Sequence, residues 1–199
     1  MLSRQKIQAN QAKFIALLES TGRKGVDIIV THLLEGGFFV VPASKHHHNN
    51  FEGGLAKHSL EVYNEAINLY DTFTSKIPFL QTVMTRDSIT ICALLHDICK
   101  MDVFCMRNGQ PCGTGIPNNP HGSKSVRLLC EWGLELSENE KMAIAWHMGR
   151  WTKDAGCKPE EVESRFLEVQ KTTPLASFIR RADSLAASKA IEEQENDEL

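Results

Sequence analysis

What the 199-residue sequence lacks narrows the problem first. Proline is scarce, with 7 residues, and aromatic residues make up only 7%. Neither the low-complexity nor the collagen-like class fits. No apolar run reaches the roughly 18 residues of a transmembrane helix, and the start, "MLSRQKIQANQAKF", has no apolar core of the signal-peptide kind. The expectation is therefore a soluble, cytoplasmic protein without a membrane partner. A formal charge of −3 gives no global pull toward nucleic acid or anionic lipid, so duplex DNA is not expected as a partner. The six cysteines include no C-x-x-C pair, which removes the usual thiolate zinc frameworks and leaves reduced thiols as the expectation. Cys92 and Cys99 read as small core residues. Cys105, Cys112 and Cys157 fall in loop-like sequence and are weak candidates for redox sensitivity.

What is present is helical periodicity, with 42% hydrophobic and 24% charged residues and no internal repeat. The expected fold class is all-α, a helical bundle in a single domain over 1–191, followed by an acidic solvated tail at 192–199. Helices are expected at 2–19, 24–35, from about Leu55 to Tyr70 or beyond, from about Arg86 to Lys100, at about 122–132, from Ser137 to His147, and from Pro174 to about Ile191. Ser137 and Glu140 form a capping-box pattern, and Thr173-Pro174 is a natural helix start. Phe38–Val41 has the composition of a short extended piece. Residues 102–120 hold three glycines and three prolines, an irregular loop with room for a small hairpin around Asn108-Gly109.

The segment "ALLHDICK", residues 93–100, places His96 and Asp97 among residues that are apolar on nearly every side. An unpaired buried carboxylate costs several kcal/mol, about as much as any single defect a domain tolerates, so Asp97 needs a partner. On an ideal helix the two side chains stand about 100° apart, with Lys100 on the arc between them. His58 falls at the edge of the apolar face of its helix, beside Val62 and Leu69. Asp183 projects from within an apolar face made by Leu175, Ala176, Phe178, Ile179, Ala182, Ala186 and Ala187, where small alanines leave space at the carboxylate. Two imidazoles and two carboxylates from three helices make an N/O donor set. That set suits Mn, Fe, Ni, Co or Zn, with Mg also compatible, and its lack of thiolate argues against structural zinc. His121 in "NNPHGSKS" and His147 in "AIAWHMG" fit a second ion. Taken singly, each histidine has a plainer reading as a hydrogen-bonded core residue.

The order His58, His96-Asp97, His121, His147, Asp183 resembles the HD-domain metal-dependent phosphohydrolase superfamily. The likeness extends to "EGGLAKHS", "LLHDICK", "HGSKS", "AIAWHMG" and "RRADSLAA", and covers about residues 46 to 190. The resemblance implies an HD-type helical bundle. It also implies one metal held by His58, His96, Asp97 and Asp183, and a second held by His121 and His147 with Asp97 as the bridge. The ions, roughly 3.5–4 Å apart, would lower the pKa of a bridging water for in-line attack on phosphorus. Asp97 and Lys100 are then the catalytic candidates. Lys124, His47, His48, Arg150 and Arg180 are candidates for substrate contact, with Lys124 at a helix start that suits an anion and no Walker spacing around it. His46 belongs to the same histidine run, and His32 reads as structural. Cys99 stands where the family has glycine, and no GYP motif follows. Relatives that degrade long nucleic acids carry a binding barrel ahead of this domain, for which the helical first 50 residues leave no room. The implied activity is hydrolysis of a small, nucleotide-like phosphoester, of the phosphodiesterase or nucleotidase type, with one or two divalent ions per chain. The alternatives are a nucleoside triphosphate or pyrophosphate hydrolase, which would want more cations such as Lys57 near the metals, and a binding module without catalysis. Oligomeric state leaves no mark in the sequence.

Overall fold

The computed structural model describes residues 2–118, 120–152 and 158–197; Cys157 lies outside them. In chain order the helices are α1 (Arg4–Ser20), α2 (Val26–Glu35), α3 (Gly54–Thr74), α4 (Leu80–Val83), α5 (Arg86–Leu95) and α6 (Lys100–Val103). The strands β1 (Phe104–Arg107) and β2 (Gln110–Gly113) follow, then α7 (His121–Glu131), α8 (Glu138–Ala145), α9 (Val162–Thr172) and α10 (Pro174–Asp197). Short 3₁₀ turns cover Gly149–Trp151 and Pro159–Glu161. The fold is all-α with one small hairpin.

Local chemistry sets several of the boundaries. Ser3 accepts the Lys6 amide at 3.2 Å and opens α1, and Thr85 accepts the Ser88 amide at 3.0 Å and opens α5. Ser137 and Glu140 close a full capping box at the start of α8. In the hairpin, Asn108 and Gly109 both have positive φ, as a two-residue turn matching strand twist requires. Pro111 faces Met106, one pair beyond the Arg107–Gln110 pair that closes the turn, where no ladder N–H is needed.

The helices α3, α5, α8 and α10 pack against one another around α5, whose residues Ile89 to Leu95 are all buried. Leu94 and Leu95 have no exposed surface, and burying each contributes about 1.5–3 kcal/mol. At one side of this core, Phe14 meets Phe38 at 5.1 Å and Phe39 at 5.4 Å between ring centroids.

The structure corrects four expectations. The helix expected from Arg86 to Lys100 stops at Leu95. Beyond it the amides of Ile98, Lys100, Met101 and Asp102 bond to carbonyls three residues back, a tighter winding than α that runs into the short α6. Phe38–Val41 is a series of turns instead of an extended piece, because burying both phenylalanines against Phe14 outweighs local strand preference. The last helix runs on to Asp197, past the expected end at Ile191, with Glu193 reaching Lys57 at 3.4 Å. Finally, Cys105 and Cys112 join as a disulfide, where free thiols were expected. They stand directly opposite in the hairpin with Cα atoms 5.2 Å apart, inside the span a disulfide bridges. Cys92, Cys99 and Cys130 are free.

Candidate metal centre

The six expected ligands converge on one spot from five elements. His58 is on α3 and Asp183 on α10, both well inside their helices, whereas the others stand at helix ends. His96 and Asp97 follow α5, His121 is the first residue of α7, and His147 lies two residues beyond α8. The C-termini of α5 and α8 therefore turn their partial negative charge toward this point, which favours a cation there.

The tight winding after Leu95 explains a close contact. In 3₁₀ geometry residues three apart eclipse, and Lys100 Nζ lies 2.6 Å from Asp97 Oδ2. The two oxygens of Asp97 face different histidines. Oδ2 is 3.3 Å from His96 Nε2 and 3.9 Å from His58 Nε2, while Oδ1 is 3.5 Å from His147 Nε2 and 3.7 Å from His121 Nε2. Asp183 Oδ1 completes the first group, 3.2 Å from His58 Nε2 and 3.9 Å from His96 Nε2. Donor atoms each about 2.1 Å from one ion stand about 3.0–3.4 Å from one another, which the separations of 3.2, 3.3 and 3.5 Å approach, while those of 3.7 and 3.9 Å would have to close slightly.

The protonation pattern fits as well. His96 Nδ1 is 2.9 Å from the Ala93 carbonyl and His147 Nδ1 is 2.7 Å from the Ile144 carbonyl. A carbonyl only accepts, so both rings carry a proton on Nδ1 and turn Nε2 inward. His121 Nε2 and His147 Nε2 face each other at 3.1 Å, and His96 Nε2 and Asp97 Oδ1 are buried without a hydrogen-bond partner among the described residues. Acceptors crowded in this way with too few donors are what a divalent ion would satisfy. Three overlapping groups have donor atoms that all lie within 4.8 Å of one another: His58, His96 and Asp97; His96, His147 and Asp183; and Asp97, His121 and His147.

The surroundings hold the carboxylates charged and His121 neutral. Burial opposes ionisation of Asp97, but Lys100 and His96 outweigh it and hold the carboxyl well below its usual range. Burial likewise opposes ionisation of Asp183, and the bond from His58 prevails. Burial lowers His121 to about 3 and His48 to about 4, whereas His96 is held up against burial by Asp97. Cys99, buried with its Sγ 3.1 Å from the His121 carbonyl, is pushed up to about 12 by burial, so it stays a thiol.

A cavity of about 610 Å³ opens over the cluster, within the range of small-molecule clefts. Its lining includes His47, His48, Lys100 and Arg180 among the expected contact residues, and also His46. The His48 ring lies 5.0 Å from that of His58. Other candidates stand apart. Lys124 pairs with Asp102 at 3.3 Å and Arg150 with Glu163 at 3.8 Å, and neither is among the lining residues described. Lys57 pairs with Glu61 and Glu193. His32 stacks on Trp132 at 4.3 Å, in keeping with a structural role.

The histidine loop is held by residues that sequence reasoning passed over. Asn49 is 1% exposed with φ 53°, its amide donates to Glu61 at 2.8 Å, and its carbonyl accepts the Ala43 amide at 3.0 Å. Ser44 accepts the His47 amide at 2.9 Å and donates to the His48 carbonyl at 3.0 Å. Gly54 is required beneath this loop, because a Cβ there would overlap the Asn49 carbonyl. The pairing "NNFEGG" carried that signal, an asparagine that tolerates positive φ close to glycines.

A helical bundle with a buried His/Asp cluster facing an open cleft defines a candidate metal-binding protein. A family model described as HD domain matches residues 55–188, well over half of the chain. The chain belongs to the HD-domain family, whose general activity is metal-dependent phosphohydrolysis. No curated protein and no solved structure matches it. No helix is long and apolar enough to cross a membrane among the described residues.

Proposed function

We propose that this chain is a dinuclear metal phosphohydrolase acting on a small, nucleotide-like phosphodiester or phosphomonoester. The observation that carries this reading is the division of Asp97, whose Oδ2 faces His58 and His96 while Oδ1 faces His121 and His147. His58, His96, Asp97 and Asp183 would hold one divalent ion, and Asp97, His121 and His147 a second. Bound ions of this kind supply a water of lowered pKa and neutralise charge developing at phosphorus.

The remaining work falls to side chains. Nδ1 of His96 and of His147, each tied to a backbone carbonyl, fixes ring orientation. Lys100, 13% exposed and directed at Asp97, is the cation best situated to meet a phosphoryl oxygen, and Arg180 lines the same cleft. His47 and His48, on the anchored loop, line the same cleft and are available to the substrate. The polyphosphate alternative is weaker, since Lys57, Lys124 and Arg150 are not among the described residues that line the cleft. A non-catalytic module is weaker still, because all six ligand positions are filled by competent donors.

The test is hydrolysis of a nitrophenyl phosphomonoester and a bis-nitrophenyl phosphodiester by protein supplied with Mn²⁺, then with chelator. Turnover of either ester that the chelator abolishes supports the reading, and the preferred ester chooses between nucleotidase and phosphodiesterase. Turnover that persists in chelator would refute it.

A further inference from the structure

Trp151 is 71% exposed, more than Phe79 at 68%, yet it is set between two buried residues, His147 at 2% and Thr152 at 7%. A single exposed apolar side chain is ordinary on a protein surface. This one is not at an arbitrary place, because it lines the same cavity as His58, Asp97, His121, His147 and Asp183. It stands four positions after His147, a reach of at most about 14 Å even if extended, and the chain here is a tight turn. The Trp151 amide bonds to the Met148 carbonyl at 3.2 Å and the Thr152 amide to the Gly149 carbonyl at 3.0 Å. Among the described residues no aromatic ring packs on the indole, while Phe104 and Met148 share the cavity wall.

A cation shares this wall. Arg180 lies against Gly149, in the same turn as Trp151, and its guanidinium sits over the Phe166 ring at 5.2 Å. It is one helical turn before Asp183 on α10 and also lines the cavity. One cavity therefore brings together a carboxylate and imidazole cluster, a guanidinium and an indole. That set matches an anionic phosphate, its ester linkage and a planar ring.

We propose that Trp151 is the platform on which the heteroaromatic base of the substrate stacks, with Arg180 beside the ester linkage. The inference rests on the phosphoester reading above and assigns its specificity to the base. Stacking of this kind tolerates every base, since each has a π face, so the subsite selects nucleotides over sugar phosphates more than one nucleotide over another.

The test uses two phosphonates that resist hydrolysis, the methylene analogue of AMP and the matching analogue of ribose 5-phosphate, titrated into Mn²⁺-loaded protein. The adenosine compound should bind about 5- to 150-fold tighter and quench tryptophan fluorescence. Trp132, on His32, and Trp146, 3% exposed beside Phe166, do not line the cavity, so the signal belongs to Trp151. Trp151→Ala should erase both the preference and the quench, and Trp151→Phe should keep most of the preference. Equal binding of the two compounds by the unmodified protein, or a preference that survives Trp151→Ala, would overturn the proposal and leave the phosphoester reading standing. Failure of both compounds to bind metal-loaded protein would overturn the proposal, and the phosphoester reading would fall with it only if the nitrophenyl esters also went unhydrolysed.

Discussion

Replacing Arg23 by methionine should unfold this protein far more readily than an ordinary surface substitution. Arg23 reaches from the α1–α2 connection to α8, where its Nη1 and Nη2 each bond a different oxygen of Glu140 at 2.8 Å. Nη1 also bonds the Glu135 carbonyl at 2.8 Å. The Glu140 side chain has no exposed surface, and Arg23 is 22% exposed. Without the guanidinium, Glu140 keeps the Ser137 amide at 2.7 Å as its partner and becomes an uncompensated buried charge. Breaking such a pair from one side costs about 3–5 kcal/mol, which for a chain of this size lowers Tm by about 6–20 °C. The assay is calorimetric or spectroscopic melting at pH 7. The pH dependence has a definite sign. Burial opposes ionisation of Glu140, but the Arg23 bond outweighs it and depresses its pKa below the ordinary 4.5. The stabilisation is therefore fully present above pH 4.5 and is lost as pH falls through the folded value, so the gap between Arg23→Met and the unmodified protein should narrow in acid. The double change Arg23→Met with Glu140→Gln should recover part of the loss, because the amide oxygen can still accept from Ser137. A Tm within about 2 °C of the unmodified protein for Arg23→Met at pH 7 would refute the reasoning.

Two further outcomes follow from the site and its support. Free metal at about 100 times its Kd stabilises a folded chain by about 2.7 kcal/mol, so Mn²⁺ should raise Tm by about 5–11 °C in the unmodified protein and not in Asp97→Asn; an equal rise in both would place the binding elsewhere. Gly54→Ala drives a methyl into the Asn49 carbonyl, which should cost about 1–3 kcal/mol and displace the loop carrying His47 and His48. Its expected signature is a raised KM in phosphoester hydrolysis, and an unchanged KM would count against a role for that loop.

Much of the fold and most of the candidate site were legible in the sequence, for reasons specific to each part. Asp183 stands out because α10 keeps an even apolar stripe in which one carboxylate interrupts small residues. The His96-Asp97 pair was equally visible, yet its geometry was not. Periodicity assumes a continuing helix, whereas the chain tightens after Leu95, and that tightening is what brings Lys100 onto Asp97. The hairpin could be read from Asn108-Gly109, and with it the pairing of Cys105 and Cys112, which are symmetric about the turn; the expectation of free thiols did not apply that symmetry. Lys124 and Arg150 looked as suitable for substrate as Arg180 does, because sequence gives charge but not which carboxylate a flexible side chain will meet. Trp151 carried no local signal at all. Its exposure depends on the path of the Gly149–Trp151 turn, which only tertiary structure fixes.

The most direct measurement of the central claim is the metal content of protein loaded with Mn²⁺ and freed of excess ion, compared with His121→Ala and His147→Ala. The account predicts two ions per chain in the unmodified protein and about one in either variant, since Asp97 Oδ1 and the remaining histidine alone make a poor site. A single ion per chain in all three would contradict it and confine the centre to His58, His96, Asp97 and Asp183.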